Sequence, residues 1–187
     1  MKRKMISVLA LALIVLMSAV LVSCEDFKPV ADDATVKEVV GDIKAQHTYF
    51  RTHINYLANN PSEASSLQTT LTTNLKEKYE AEWGSATTVE VTVTSNSISA
   101  KVTAPDGKNK LDLSYSQIAY DSSAPKVTGA FSVSITKPNA GSTSSYTTDT
   151  DGNFTIALKD SITFSSVTYK GTDYDTDAFN KEMEREL

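Results

Sequence analysis

The chain has 187 residues, and 18 lysines and arginines against 23 aspartates and glutamates leave it with a formal charge of −5. That acidity speaks against nucleic acid and anionic headgroups as charge-read partners, because both select basic surfaces. One cysteine is too few for a disulfide within the chain, so stability has to come from a packed core, for which the length suffices.

The N-terminal stretch has the order of a secretory signal. Lys2, Arg3 and Lys4 form a basic cluster, and an apolar run from Met5 to Val22 follows, broken by Ser7 and Ser18. It ends at Leu21-Val22-Ser23-Cys24: an aliphatic residue, a tolerant position, a small residue and the cysteine. Basic, apolar and small-residue regions in that order mark a signal peptide. The last four residues resemble the lipobox of bacterial lipoproteins. The resemblance implies cleavage after residue 23, attachment of diacylglycerol to the Cys24 thiol and acylation of the new amino terminus. It places the protein in the cell envelope, and in a diderm host at the outer membrane, on its periplasmic or surface face. The competing reading is an uncleaved transmembrane helix, which leaves the terminal cysteine unexplained. One acyl chain holds a protein marginally and two hold it stably, so an anchor with palmitate-like chains on Cys24 would be lasting. Residues 24–34, acidic and containing Pro29, read as a tether between lipid and domain.

Residues 35–187 read as one α+β domain. Over 35–84 the period is helical. Val36, Val40, Ile43, His47, Phe50, Ile54 and Leu57 step by four and three along one face. Asp32 or Asp33 can cap the start, and Asn59-Asn60-Pro61 stops the run, since the residue before proline avoids the helical region. Leu67, Leu71, Leu75, Tyr79 and Trp83 make a second stripe that Gly84 ends as a C-cap. A short link between two amphipathic helices predicts an antiparallel hairpin.

From 86 to 171 the period is two, predicting an antiparallel meander of about six to seven strands. Val89, Val91 and Val93 lead through a Ser95-Asn96 turn to Ile98, Ala100 and Val102. An Asp106-Gly107 turn precedes Leu111, Leu113 and Tyr115, after which Ile118 and Tyr120 continue one residue late. Such a slip predicts a β-bulge at Ser116-Gln117. Val127 to Ile135 form the next strand, followed by a looser one around Tyr146 and a second expected turn at Asp151-Gly152. Phe154, Ile156 and Leu158 alternate, then Ile162 and Phe164, with another slip at Ser165-Ser166 before Val167 and Tyr169. The stretches 113–120 and 162–169 match in character, as two rounds of one meander would. Gly171 closes the sheet, and residues 173–187 hold a short terminal helix with an acidic start.

Chemistry is sparse. His47 lies in the apolar stripe and reads as a buried core histidine with a lowered pKa; His53, six residues on, reads as solvated. Ser123-Ala124-Pro125-Lys126 has the serine–lysine spacing of penicillin-recognising enzymes, yet its proline marks a turn. Asp173, Asp175 and Asp177 with Glu184 resemble an EF-hand loop, with Glu184 at the twelfth position, and form a calcium candidate. Against it, Ala178 replaces the turn glycine, Asn180 stands at an apolar position, and carboxylates before a helix are ordinary capping. Asp149-Thr150-Asp151-Gly152-Asn153 lacks a matching glutamate. Tyr115, Tyr120, Phe131, Phe164 and Tyr169 are expected on one sheet face, as core or, if exposed, as a platform for sugar or lipid. No cofactor, no catalytic set and no nucleic-acid partner are expected.

The expectation is a non-enzymatic, membrane-anchored envelope protein with a binding or structural role, similar to the small lipoproteins of spirochaetes and related bacteria. Its ligand would be a protein, a glycan or a lipid. The second expectation is a carrier of acyl chains or another apolar ligand between helices and sheet, which requires an enclosed apolar cavity of several hundred Å³.

Overall fold

Asp32 starts the fold: its carboxylate accepts the Thr35 backbone N–H at 2.8 Å and caps helix α1, Asp33–Asn59. The computed structural model describes residues 28–187; the signal segment, Cys24 and the first tether residues lie outside the described residues. The described part of the expected tether already belongs to the domain. Ala31 is buried, and the Pro29 carbonyl accepts the Asp175 N–H at 3.0 Å.

The whole predicted stripe of α1 is buried, and Val39 joins it. A 3-10 turn at Pro61–Glu63 leads into helix α2, Ala64–Trp83, which Gly84 terminates at φ 108°. Seven strands follow: β1 Thr88–Thr94, β2 Ser97–Thr103, β3 Lys110–Asp121, β4 Lys126–Pro138, β5 Ser145–Ile156, β6 Ser161–Tyr169 and β7 Thr172–Tyr174. They pair in sequence order, every neighbour antiparallel. Helix α3, Asp177–Glu186, ends the chain. The architecture is the α+β one expected. The helices share one face of the sheet, α2 over β1, α1 over β3 to β5, and α3 beside α1 over β6.

The other face is polar, rich in hydroxyls and crossed by charged residues such as Glu90, Lys101, Asp112 and Asp149. One row across six strands reads Thr92, Ser99, Ser114, Ser132, Asp151 and Ser166. This is where the many serines and threonines of the composition go: alternate positions face water, and short polar side chains keep that face from becoming sticky. The two sheet edges are closed by side-chain amides from helices. Gln68 of α2 accepts the Val93 N–H of β1 at 3.0 Å. Asn180 of α3 takes both the N–H (2.7 Å) and the carbonyl (3.2 Å) of Phe164, beyond the end of the short β7. Edges left with free backbone groups invite pairing with other chains.

Both predicted phase slips are bulges. Gln117 sits at φ 55° where Ser116 pairs Ala130 but Ala119 pairs Thr128, so Gln117 and Ile118 of β3 face Gly129 alone, one extra residue. In β6, Ser166 pairs Asp151 and Phe164 pairs Gly152, so Ser165 is the extra residue.

Three expectations are corrected. Asp151-Gly152 is no turn; both residues lie inside β5, which runs unbroken for 12 residues. Glycine is needed there because a Cβ on Gly152 would overlap the Thr163 carbonyl and stand 2.7 Å from the Phe131 ring. Its counterpart is Gly129, paired with Phe154, whose ring would be 2.6 Å from an added Cβ. The actual β5–β6 turn is closed by the Ala157 N–H on Asp160 Oδ1 at 3.1 Å, and it leaves Leu158 fully exposed instead of in a strand. The sheet also outlasts Gly171, since β7 pairs Thr172 to Tyr174 back onto β6. Finally, Tyr120 leaves the buried aromatic set: Tyr115, Phe131, Phe164 and Tyr169 are buried, whereas Tyr120 at the strand end is 46% exposed.

The two kinds of glycine separate in a stability measurement. Gly152→Ala is expected to destabilise the fold by about 2 kcal/mol through overpacking. Gly41→Ala, on the exposed side of α1 with nothing within 4 Å of the new methyl, is expected to stabilise it by roughly 0.5–1 kcal/mol. Thermal unfolding followed by circular dichroism checks both signs.

Candidate functional site

Most residues marked in the sequence are not brought together. Asp173 accepts the Thr168 hydroxyl at 2.5 Å, and Asp175 accepts the Asp177 N–H at 2.8 Å, each doing local work at a strand or helix end. Among the described residues no three or more histidine, cysteine or acidic side chains converge as a metal set. Asn180, at the position where a calcium loop wants an apolar residue, is committed to Phe164. Ser123 hydrogen-bonds Asp121 at 2.6 Å in the β3–β4 turn, with Lys126 at 3.8 Å from the same carboxylate.

His47 is where the stripe predicts it, 2% exposed beneath α1. Its Nε2 lies 3.3 Å from Asp160 Oδ2, and Arg51 closes on the same carboxylate through Nε at 2.5 Å and Nη2 at 3.1 Å. Nδ1 is buried without a partner, so protonation would strand an N–H donor there. Burial outweighs Asp160 and holds the imidazole pKa below its ordinary value. Burial pushes Asp160 up, but Arg51, the Ala157 N–H and His47 together bring it below the usual carboxylate range. This trio ties the C-terminal half of α1 to the β5–β6 turn.

A second polar cluster ties the N-terminal half, and it borders a cleft. Glu38 accepts the hydroxyls of Tyr146 at 2.5 Å and Tyr169 at 2.9 Å, and Lys137 reaches Glu38 at 3.5 Å and Asp42 at 2.5 Å. Glu38 is pushed up by burial, yet the two phenols and the ammonium bring it below its ordinary value. Asp42 is held above its ordinary value, because its burial outweighs the Lys137 contact. Burial and the Glu38 charge raise the Tyr146 phenol strongly.

The cleft lies where α1 and α2 diverge above the ends of β3, β4 and β5, and its volume is about 470 Å³. Asp42 and Gln46 of α1 form one wall, and Tyr79, Glu82 and Trp83 of α2 the other. Asn109, Lys110, Thr136 and Lys137 close the sheet end. Tyr79 and Trp83 pack with ring centroids 4.4 Å apart at a tilt of 46°, and the Lys78 ammonium sits 4.1 Å from the Tyr79 ring centre and 5.2 Å from that of Tyr49, bridging the helices. Carboxylates, amides, ammonium groups and the Tyr79, Trp83 and Tyr146 rings line the space, with Leu111, Ile135 and Pro138 beside them. The room an acyl chain would need between α1 and the sheet is taken by packed side chains, Phe50 against Tyr115 and Tyr115 against Phe154, each pair at 5.6 Å.

Period reading missed this cleft. Glu38 and Asp42, four apart on the flank of the α1 stripe, were its one local trace. Lys137 and Tyr146 arrive from a hairpin about a hundred residues later, and no spacing announces that. No family model, curated protein or solved structure matches the chain, so function is argued from these residues alone.

The histidine sets a pH dependence. Held neutral when folded, His47 binds fewer protons than in the unfolded chain, whose value is 6.5, so stability falls as pH drops through 6.5 towards the lower folded value. Asp160 works lower: its stabilisation is present above 3.8 and is lost as pH falls through its depressed value. Unfolding midpoints measured between about pH 7 and 5 are expected to decline for the native chain and flatten for His47→Leu.

Proposed function

We propose that the chain is a lipid-anchored protein of the bacterial envelope that works by binding, not catalysis, with the cleft as its working surface. Leu21-Val22-Ser23-Cys24 supports the anchor. Among the described residues no helix is long and apolar enough to cross a membrane.

The observation that carries the reading is how soon the fold begins after that cysteine. Pro29 is already hydrogen-bonded to Asp175, Ala31 is buried and Asp32 caps α1. Between Cys24 and Lys28 a chain spans at most about 3.6 Å per residue, so the domain would hang close below its lipid. The chain enters at the end of the sheet that carries the 104–109, 139–144 and 170–171 connections. Glu38 and Asp42, near the start of α1, meet Lys137, Tyr146 and Tyr169 at that same end. The cleft would therefore open towards the membrane that holds the protein, suiting it to a ligand presented in that layer.

Metabolic labelling with an alkyne-bearing fatty acid in a host with lipoprotein-processing enzymes tests the anchor. The native chain is expected to take up label, and Cys24→Ala to lose it and to retain its uncleaved signal segment while keeping its folded circular dichroism. Label persisting in Cys24→Ala would contradict the reading.

A further inference from the structure

We infer that the ligand of the cleft is an uncharged short saccharide. This rests on the cleft being the working surface, and it adds the chemical class that the lining selects. Charge is balanced there: Lys78, Lys110 and Lys137 face Asp42 and Glu82, with Glu38 behind Lys137. Two of the three ammonium groups are already committed, Lys137 to Glu38 and Asp42, and Lys78 to the faces of Tyr79 and Tyr49. An anion such as a phosphate finds no cluster of free cations, and a cation finds no free pair of carboxylates. A hydrocarbon chain would desolvate these groups without returning a hydrogen bond.

What remains available suits a polyol. The Gln46 and Asn109 side chains each donate and accept, matching hydroxyls that do the same. The Asp42 carboxylate, pushed towards its protonated form by burial, has one lysine partner at 2.5 Å and accepting capacity left over. Trp83 supplies the apolar element, a half-buried ring at the rim backed by Tyr79. A sugar ring presents a flat C–H face to such a surface and a belt of hydroxyls around it. Tyr79 is 3% exposed, and the half-buried Tyr146 ring, which also lines the cleft, packs against Tyr169 with the Lys170 ammonium 4.5 Å from its centre, so Trp83 is the ring left open to a ligand. A volume of about 470 Å³ falls within the range of about 300–1,000 Å³ that small-ligand sites occupy.

Trp83 is the sole tryptophan, so its emission reports on the cleft directly. The full chain, held in a detergent that carries no sugar, is titrated with a panel of neutral mono- to tetrasaccharides. Inorganic phosphate and tetramethylammonium are titrated separately. At least one saccharide is expected to shift the emission saturably, and the two ions are not. Saturation-transfer NMR with the bound sugar then compares variants. Trp83→Ala and Asp42→Asn are each expected to weaken binding about tenfold or more, as loss of a central contact does. Trp83→Phe, which keeps a ring, is expected to stay within about threefold of the native chain. Tyr120→Ala, an exposed aromatic at the opposite end of the sheet, is expected to bind normally. The same saccharide is expected to bind Cys24→Ala equally well, which separates this inference from the anchor. No shift with any saccharide, or equal weakening by Tyr120→Ala, overturns the inference. A saturable shift with phosphate or tetramethylammonium alone overturns the saccharide and leaves the cleft as the working surface.

Discussion

Helix α1 is the beam on which the domain is assembled, because the seven strands form an open sheet whose inner face has no other cover across its middle. Phe50, Ile54 and Leu57 of that helix are completely buried, and each such side chain is worth about 1.5–3 kcal/mol of transfer out of water. Phe50 meets Tyr115, which in turn meets Phe154, and Gly129 gives the Phe154 ring room where two strands pair. Apolar burial carries no direction along the helix axis. The two polar clusters supply that direction, with Glu38 and Asp42 on Lys137, Tyr146 and Tyr169 at one end, and Arg51 and His47 on Asp160 at the other. A helix pinned at both ends cannot slide by a turn without unpairing half-buried carboxylates. The same pinning leaves α2 free to diverge and open the cleft.

The rest of the sequence follows from the same one-sided cover. A sheet with one dry face needs alternation, and the wet face needs small polar side chains that still favour strands, which threonine provides. The side-chain amides of Gln68 and Asn180 then occupy backbone groups at the two edges. Each lies on a helix that packs beside the strand it serves, so closure of the edges depends on the helices being seated first.

Legibility in the sequence followed the range of the interaction. The α1 and α2 stripes, the Asp32 cap and the Gly84 stop depend on neighbours within a few residues, and they stand where the pattern puts them. The bulges at Gln117 and Ser165 were visible because a phase slip is itself local. Asp151-Gly152 carries a genuine turn signature, yet pairing on both sides overrides it, and the glycine answers to the Phe131 ring instead. Three-residue β7 is too short to show a period, and Tyr120, in phase with Ile118, lies at the strand end beside Arg51, Asn55 and Asn59 of α1, which leave it half open. Of the cleft, the sequence displayed separate polar residues on α1, α2 and the β4–β5 hairpin, and only folding makes them neighbours.

Native-state hydrogen exchange tests the role of α1 most directly, since it resolves which segments open apart from the whole. If the sheet depends on α1 for its cover, the amides of Val40 to Ile54 exchange only by global unfolding, with the same free energy as those of β3, β4 and β5. An α1 that exchanges through a separate, lower-energy opening while the central strands stay protected would contradict the account.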